Sequence, residues 1–161
     1  MTKKCLLETD GFQISVDLNT IETSKEHVGI TVELVLDKHL GNVVIKSVPT
    51  CITLSDLWRL AVYFEEHIER LRQNFDSESY TFAPMELGFQ LQALEGEIHQ
   101  EHDGEFSLRF LLNVGEGSKQ NHRVYIGGES VVTLKSIRIF IASLHEALAA
   151  LSRSNVGARP A

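Results

Sequence analysis

Cysteine is scarce in this chain, and the two present, Cys5 and Cys51, lie far apart at a spacing that fits no metal or redox motif. They are read as reduced, partly buried thiols, which fits a cytoplasmic protein. Basic residues are also few and scattered: 15 Lys and Arg against 22 Asp and Glu give a net charge of −7, and no basic run exceeds Lys3-Lys4. Binding to a phosphate backbone needs clustered cations, so nucleic acid is excluded as a partner. A basic protein partner is compatible with the charge, and so is simple solubility. No apolar run approaches the roughly 20 residues that span a bilayer, and the start MTKKCLLETDG has too short an apolar step for a signal peptide. No membrane association is expected.

The motifs of several chemistries are missing as well. Gly127-Gly128-Glu129-Ser130 contains the one glycine pair, but no Lys-Ser/Thr follows it as a phosphate loop requires, and it is read as a turn or kink. Ser130 lacks a Gly-x-Ser-x-Gly context, so nucleophilic catalysis has no support. No catalytic constellation stands out and no cofactor is called for.

What is present is an ordinary globular composition, 43% hydrophobic and 23% charged, in 161 residues, enough for one domain with a core. The clearest element is Thr53–Arg72. Leu54, Leu57, Leu60, Ala61, Phe64, Ile68 and Leu71 recur at spacings of three and four, which puts them on one helical face. Thr53 is a good N-cap, and Asp56 three residues on resembles a capping box. Glu66 and Arg70 are spaced for an ion pair on the other side. Upstream, Phe12–Leu18, Val28–Leu36 and Val43–Val48 alternate as half-buried strands, with a short strand possible at Cys5–Leu7. Pro49 ends the last of these. Asn74–Ser79 is a polar connector and Tyr80–Phe82 a short strand closed by Pro84. Strands at Leu87–Ile98, with a slip at Leu94 that suggests a bulge, and Phe106–Val114 flank a hairpin loop at His99–Gly104. Val124–Ile126 returns, and a second helix begins at Thr133.

Eighty residues apart, the two helices match without a gap: Thr53 falls on Thr133, Leu57 on Ile137, Phe64 on Leu144 and Leu71 on Leu151, while Gly11-Phe12-Gln13 echoes Gly88-Phe89-Gln90. The expected fold is therefore α+β, with two β-β-β-α repeats forming antiparallel sheet and both amphipathic helices packed on one face. Residues 1–152 form a single domain, with units at about 5–73 and 80–152, and residues 153–161 a flexible tail. The pairing of the units, edge to edge or as two small sheets, stays open.

Among seven histidines, His99 and His102, with carboxylates at Glu97, Glu101 and Asp103, are the candidates for a metal site, weighed against a solvated acidic turn. His67 and His145 fall on polar helix flanks. Trp58, Val62 and Tyr63 on the first helix and Ile139 on the second point away from the apolar stripes, and form a candidate interface for a protein partner or a second copy, unless they pack within the molecule.

The order of elements, with FAPMELGFQLQ before a long strand, SLRFLLNV before the last helix, and the run Phe82, Pro84, Glu86, Phe89, resembles the WapI family of bacterial immunity proteins. That resemblance implies an intracellular protein that works by binding another protein. The expectation is a non-catalytic cytoplasmic binding module, possible also as a homodimer. The alternative is a small-molecule or metal-binding protein with a pocket between sheet and helices.

Overall fold

The computed structural model describes residues 2–19, 26–118 and 122–156. The chain runs β1 (Thr2–Glu8), β2 (Phe12–Asn19), β3 (His27–Leu36), a 3-10 turn (Lys38–Leu40), β4 (Val44–Lys46), β5 (Thr50–Thr53), α1 (Leu54–Gln73), β6 (Phe89–Gln100), β7 (Asp103–Glu116), β8 (Arg123–Thr133) and α2 (Leu134–Val156). It is an α+β fold with two antiparallel sheets and two helices. In the first sheet the order is β1-β2-β3-β4, with β5 also on β3; the second is the meander β6-β7-β8.

The strands follow from alternation. Ile14, Val16 and Leu18 of β2 and Val28, Ile30, Val32 and Leu34 of β3 are buried, while Gln13, Asp17, Thr31 and Glu33 face outward. On the outer face of the second sheet, Arg109 of β7 donates to Glu129 of β8 at 2.8 and 3.1 Å and to Gln92 of β6 at 3.1 Å, tying three strands together. β4 and β5 are one strand broken at Ser47–Pro49. Ser47 repairs the break, since its N–H donates to the Val32 carbonyl at 2.8 Å and its Oγ accepts from the Val32 N–H at 3.0 Å.

The halves interlock. α1 lies mainly on β6, and α2 mainly on β1, so each helix covers a strand from the other half of the chain. The sheets touch at their corners, where Asp10 N–H donates to the Val131 carbonyl at 2.9 Å and Val48 N–H to that of Asn113 at 3.3 Å. Two glycines permit this approach: a Cβ on Gly11 would stand 3.1 Å from the Ser130 hydroxyl, and one on Gly88 would stand 2.8 Å from a Thr50 methyl. A single apolar cluster runs from Cys5 to Leu151, and Phe64 meets Phe140 of α2 edge-on with centroids 6.1 Å apart. The helices run antiparallel, with Glu65 beside His145.

Several local expectations change. The hairpin at His99–Gly104 is tighter than its polarity suggests, because β6 extends to Gln100 and β7 begins at Asp103, leaving a two-residue turn at Glu101-His102. Gly127-Gly128 does not break β8, which pairs with β7 through both residues. α2 continues to Val156, so 153–156 are helical; residues 157–161 of the expected tail lie outside the described residues, as does most of the 19–26 loop. The register shift between Ala93 and Gly96 falls where the slip at Leu94 placed a bulge. Both cysteines are free thiols.

The paired glycines of β8 differ in their surroundings. A Cβ on Gly127 would overlap the Phe110 carbonyl oxygen, whereas one on Gly128 would make an ordinary contact 3.8 Å from the Phe12 ring. Gly127→Ala should therefore cost about 1–3 kcal/mol, the range of overpacking, and Gly128→Ala less than about 1 kcal/mol, in line with an unstrained site. Urea unfolding of both variants checks this, and equal midpoints for the two would contradict the β7–β8 geometry.

Candidate functional site

One flank of α1 carries polar residues at seven-residue spacing, Asp56, Tyr63 and Arg70, with Arg59 and His67 between them. At 3.6 residues per turn these fall in one line. They meet residues 74–88, a strap that leaves the C-terminus of α1 and runs back antiparallel to it. The strap is wedged between α1 and β6, pairing with β6 through the Phe82–Leu91 bridge and the Ser79 N–H bond to the Ala93 carbonyl at 2.9 Å.

Each α1 residue fixes one point of the strap. The Asp56 carboxylate accepts from the Met85 N–H at 2.9 Å and pairs with Arg59, whose guanidinium stands over the Phe82 ring at 5.3 Å. The Tyr63 hydroxyl donates to the Tyr80 carbonyl at 2.8 Å and accepts from the Ala93 N–H at 2.9 Å. His67 Nδ1 lies 2.8 Å from Ser79 Oγ, which also accepts from Arg70 Nη2 at 3.1 Å. Gln92 of β6 donates to the Ser79 carbonyl at 3.0 Å. Ser79, Phe82 and Pro84 point inward and are buried, while Phe75, Tyr80 and Met85 point outward, exposed to 61%, 56% and 73%. Bonds from residue 56 to residue 70 of α1 hold this strap along about 20 Å of helix.

A serine hydroxyl on an imidazole nitrogen is also the geometry of an activated nucleophile. Here both partners are sealed: His67 is 0% and Ser79 3% exposed, and Arg70 already occupies the hydroxyl. The pair holds the strap rather than a substrate. His67 Nε2 and Arg70 Nε are buried without a hydrogen-bond partner among the described residues. Burial, reinforced by the Arg70 charge and opposed by the Leu94 backbone, pushes the His67 pKa down to about 4. Its ring stacks edge-on against Phe106 of β7 at 4.7 Å.

Two expectations for α1 are thereby corrected. Tyr63 is no surface residue: it is 0% exposed, with its ring among Phe64, Tyr80 and Phe82. His67 is not on a solvated flank, because the strap covers it. Asp56 also departs from a capping box; its N–H donates to Thr53 Oγ1 at 2.9 Å, but its carboxylate turns to Arg59 and Met85. Arg70 turns to Ser79 and forms no ion pair with Glu66.

The other interface candidates lie on two helices, Trp58 and Val62 one turn apart on α1 and Ile139 on α2. Trp58 is 54% exposed and Val62 half-buried on the outer side of α1, and Ile139 is 59% exposed on α2. Ile139 lies outside the interhelical groove lined by Glu65, Ile68, Arg72, Arg138, Ile141 and His145. His99 and His102 stand at the β6–β7 turn beside a groove of about 530 Å³ on the outer face. His99 Nε2 lies 3.3 Å from Glu97, both well exposed, and no three His, Cys, Asp or Glu among the described residues are grouped to hold a metal ion. His99 and His102 line this groove together with Glu97 and Asp103. The space expected to hold a ligand between sheets and helices is filled by Phe64, Phe82, Phe89, Phe106 and Phe110.

The outward row Phe75, Tyr80, Met85 was not anticipated. Its residues are three of the five large apolar ones in 74–88, with Phe82 and Leu87, and only the inward turn of Ser79, Phe82 and Pro84 shows which of them face out. Among the described residues no helix is long and apolar enough to cross a membrane. No known protein family matches the chain, and no curated protein matches it in sequence.

The buried imidazole makes stability depend on pH. Unfolded, His67 titrates near 6.5; folded, near 4, so the unfolded chain binds more protons between these values. The contribution is complete above pH ~6.5 and is lost as pH falls toward 4, a change on the order of 2–3 kcal/mol. Urea midpoints from pH 7 to 4 should fall less steeply in His67→Phe than in the native chain. Parallel curves would contradict the buried neutral imidazole.

Proposed function

We propose that this chain is a non-catalytic cytoplasmic module that works by binding another protein. The observation that carries this reading is the row Phe75, Tyr80, Met85, three large apolar side chains each more than half exposed on a strap held in place along its length. Large exposed apolar side chains cost the free protein solubility, and aromatic residues and methionine are enriched where proteins meet. The fixed base matters too. A surface already ordered before binding loses little conformational entropy when a partner arrives. The sealed Ser79–His67 pair supports the same reading, since the groups most like a catalytic pair are occupied in holding this surface. In the terms of the WapI-like resemblance, the role is that of a bacterial immunity protein and the partner is a toxin.

Affinity capture with two matched baits tests this, the native chain and Phe75→Ser/Tyr80→Ser/Met85→Ser. The expected result is a protein recovered by the native bait and lost with the variant. Recovery of nothing above bare resin by a native bait that is monomeric in solution would contradict a binding role.

A further inference from the structure

From the charges around the apolar row we infer the chemistry of the partner: a basic amphipathic segment, with apolar side chains on one face and Lys or Arg beside them. The inference rests on the binding role proposed above and adds what is bound. Residues 74–88 contain Asp76, Glu78 and Glu86 and no Lys or Arg. All three carboxylates are exposed, and Glu66 stands exposed on the neighbouring side of α1. None of the four is in an ion pair among the described residues. The two strap-side cations already have partners: Arg59, itself half-exposed, pairs with Asp56 over the Phe82 ring, and Arg70 donates to Ser79. The result is a strap on which exposed Phe75, Tyr80 and Met85 are accompanied by Asp76, Glu78 and Glu86, none of them in an ion pair. An acidic segment would be repelled by it, and a neutral apolar one would leave the carboxylates to be desolvated without a partner. A segment with both features satisfies the apolar row and the carboxylates together. The length of the row, set by α1 residues 56 to 70, matches about four turns of a helix laid alongside.

The test uses the full chain and two synthetic peptides with identical leucine spacing at three and four, one filled with lysine and the other with glutamate, measured by titration calorimetry. The Leu/Lys peptide is expected to bind and the Leu/Glu peptide not to. Phe75→Ser/Tyr80→Ser/Met85→Ser, which leaves every charge in place, should weaken the Leu/Lys peptide by about tenfold or more, as loss of clustered apolar anchors does. Asp76→Asn/Glu78→Gln/Glu86→Gln, which leaves the row in place, should weaken it and flatten its dependence on salt. All six positions are exposed, and thermal unfolding confirms that each variant remains folded. Equal binding of the Leu/Lys peptide to the native chain and the serine variant would overturn the inference, as would equal binding of both peptides or no binding of either. A partner captured through the row that carries no basic amphipathic segment would overturn the partner chemistry and leave the binding role standing.

Discussion

The hydroxyl of Tyr63 joins three parts of the molecule, the first helix, the strap and β6, at a single atom. It sits on α1, donates to the strap at Tyr80 and accepts from β6 at Ala93. The ring and the bond to Ala93 are buried, so water cannot replace that bond if it is lost. Leaving the Ala93 N–H unpaired there costs about 1–3 kcal/mol, more than the bond itself contributes net. The bond therefore acts as a constraint: the strap is either seated against both neighbours or carries that penalty. Asp56 and the His67–Ser79–Arg70 group repeat the constraint within about two turns of the helix in each direction.

Seating the strap has a geometric consequence. A chain lying between a helix and a strand buries alternate groups of side chains, and here Ser79, Phe82 and Pro84 go in. Phe75, Tyr80 and Met85 are then turned out, and the neighbouring carboxylates Asp76, Glu78 and Glu86 are in no ion pair, Arg59 being paired with Asp56 and Arg70 bonded to Ser79. The exposed row and its charge are thus by-products of how the buried side is satisfied. The same economy appears at the sheet corners, where Gly11 and Gly88 admit Ser130 and Thr50 so that the two sheets can be joined without a shared ladder.

Much of this architecture is written in periodicity. The apolar stripes of Thr53–Arg72 and of the second helix, the Thr53 cap, the alternation in β2, β3 and β7, and the bulge near Leu94 are all local patterns that burial enforces. The strap is not local. His67 and Tyr63 look like surface residues on a helical wheel, because the wheel shows the core side and cannot show a second covering layer. Their partners, Ser79 and Ala93, lie 12 and 30 residues away in sequence. The β5 strand went unread for a similar reason: Pro49 ends one ladder segment, but Ser47 substitutes its own hydroxyl and lets the pairing resume at Thr50.

The strap is bonded into the fold as a fixed layer rather than resting on it as a loop. Native-state hydrogen exchange reads this directly at the Ser79, Phe82 and Ala93 amides, which bond across the seam. They are predicted to exchange as slowly as the buried amides in the middle of α1, which open only with global unfolding. Exchange orders of magnitude faster at these three amides, with the α1 core still protected, would contradict it.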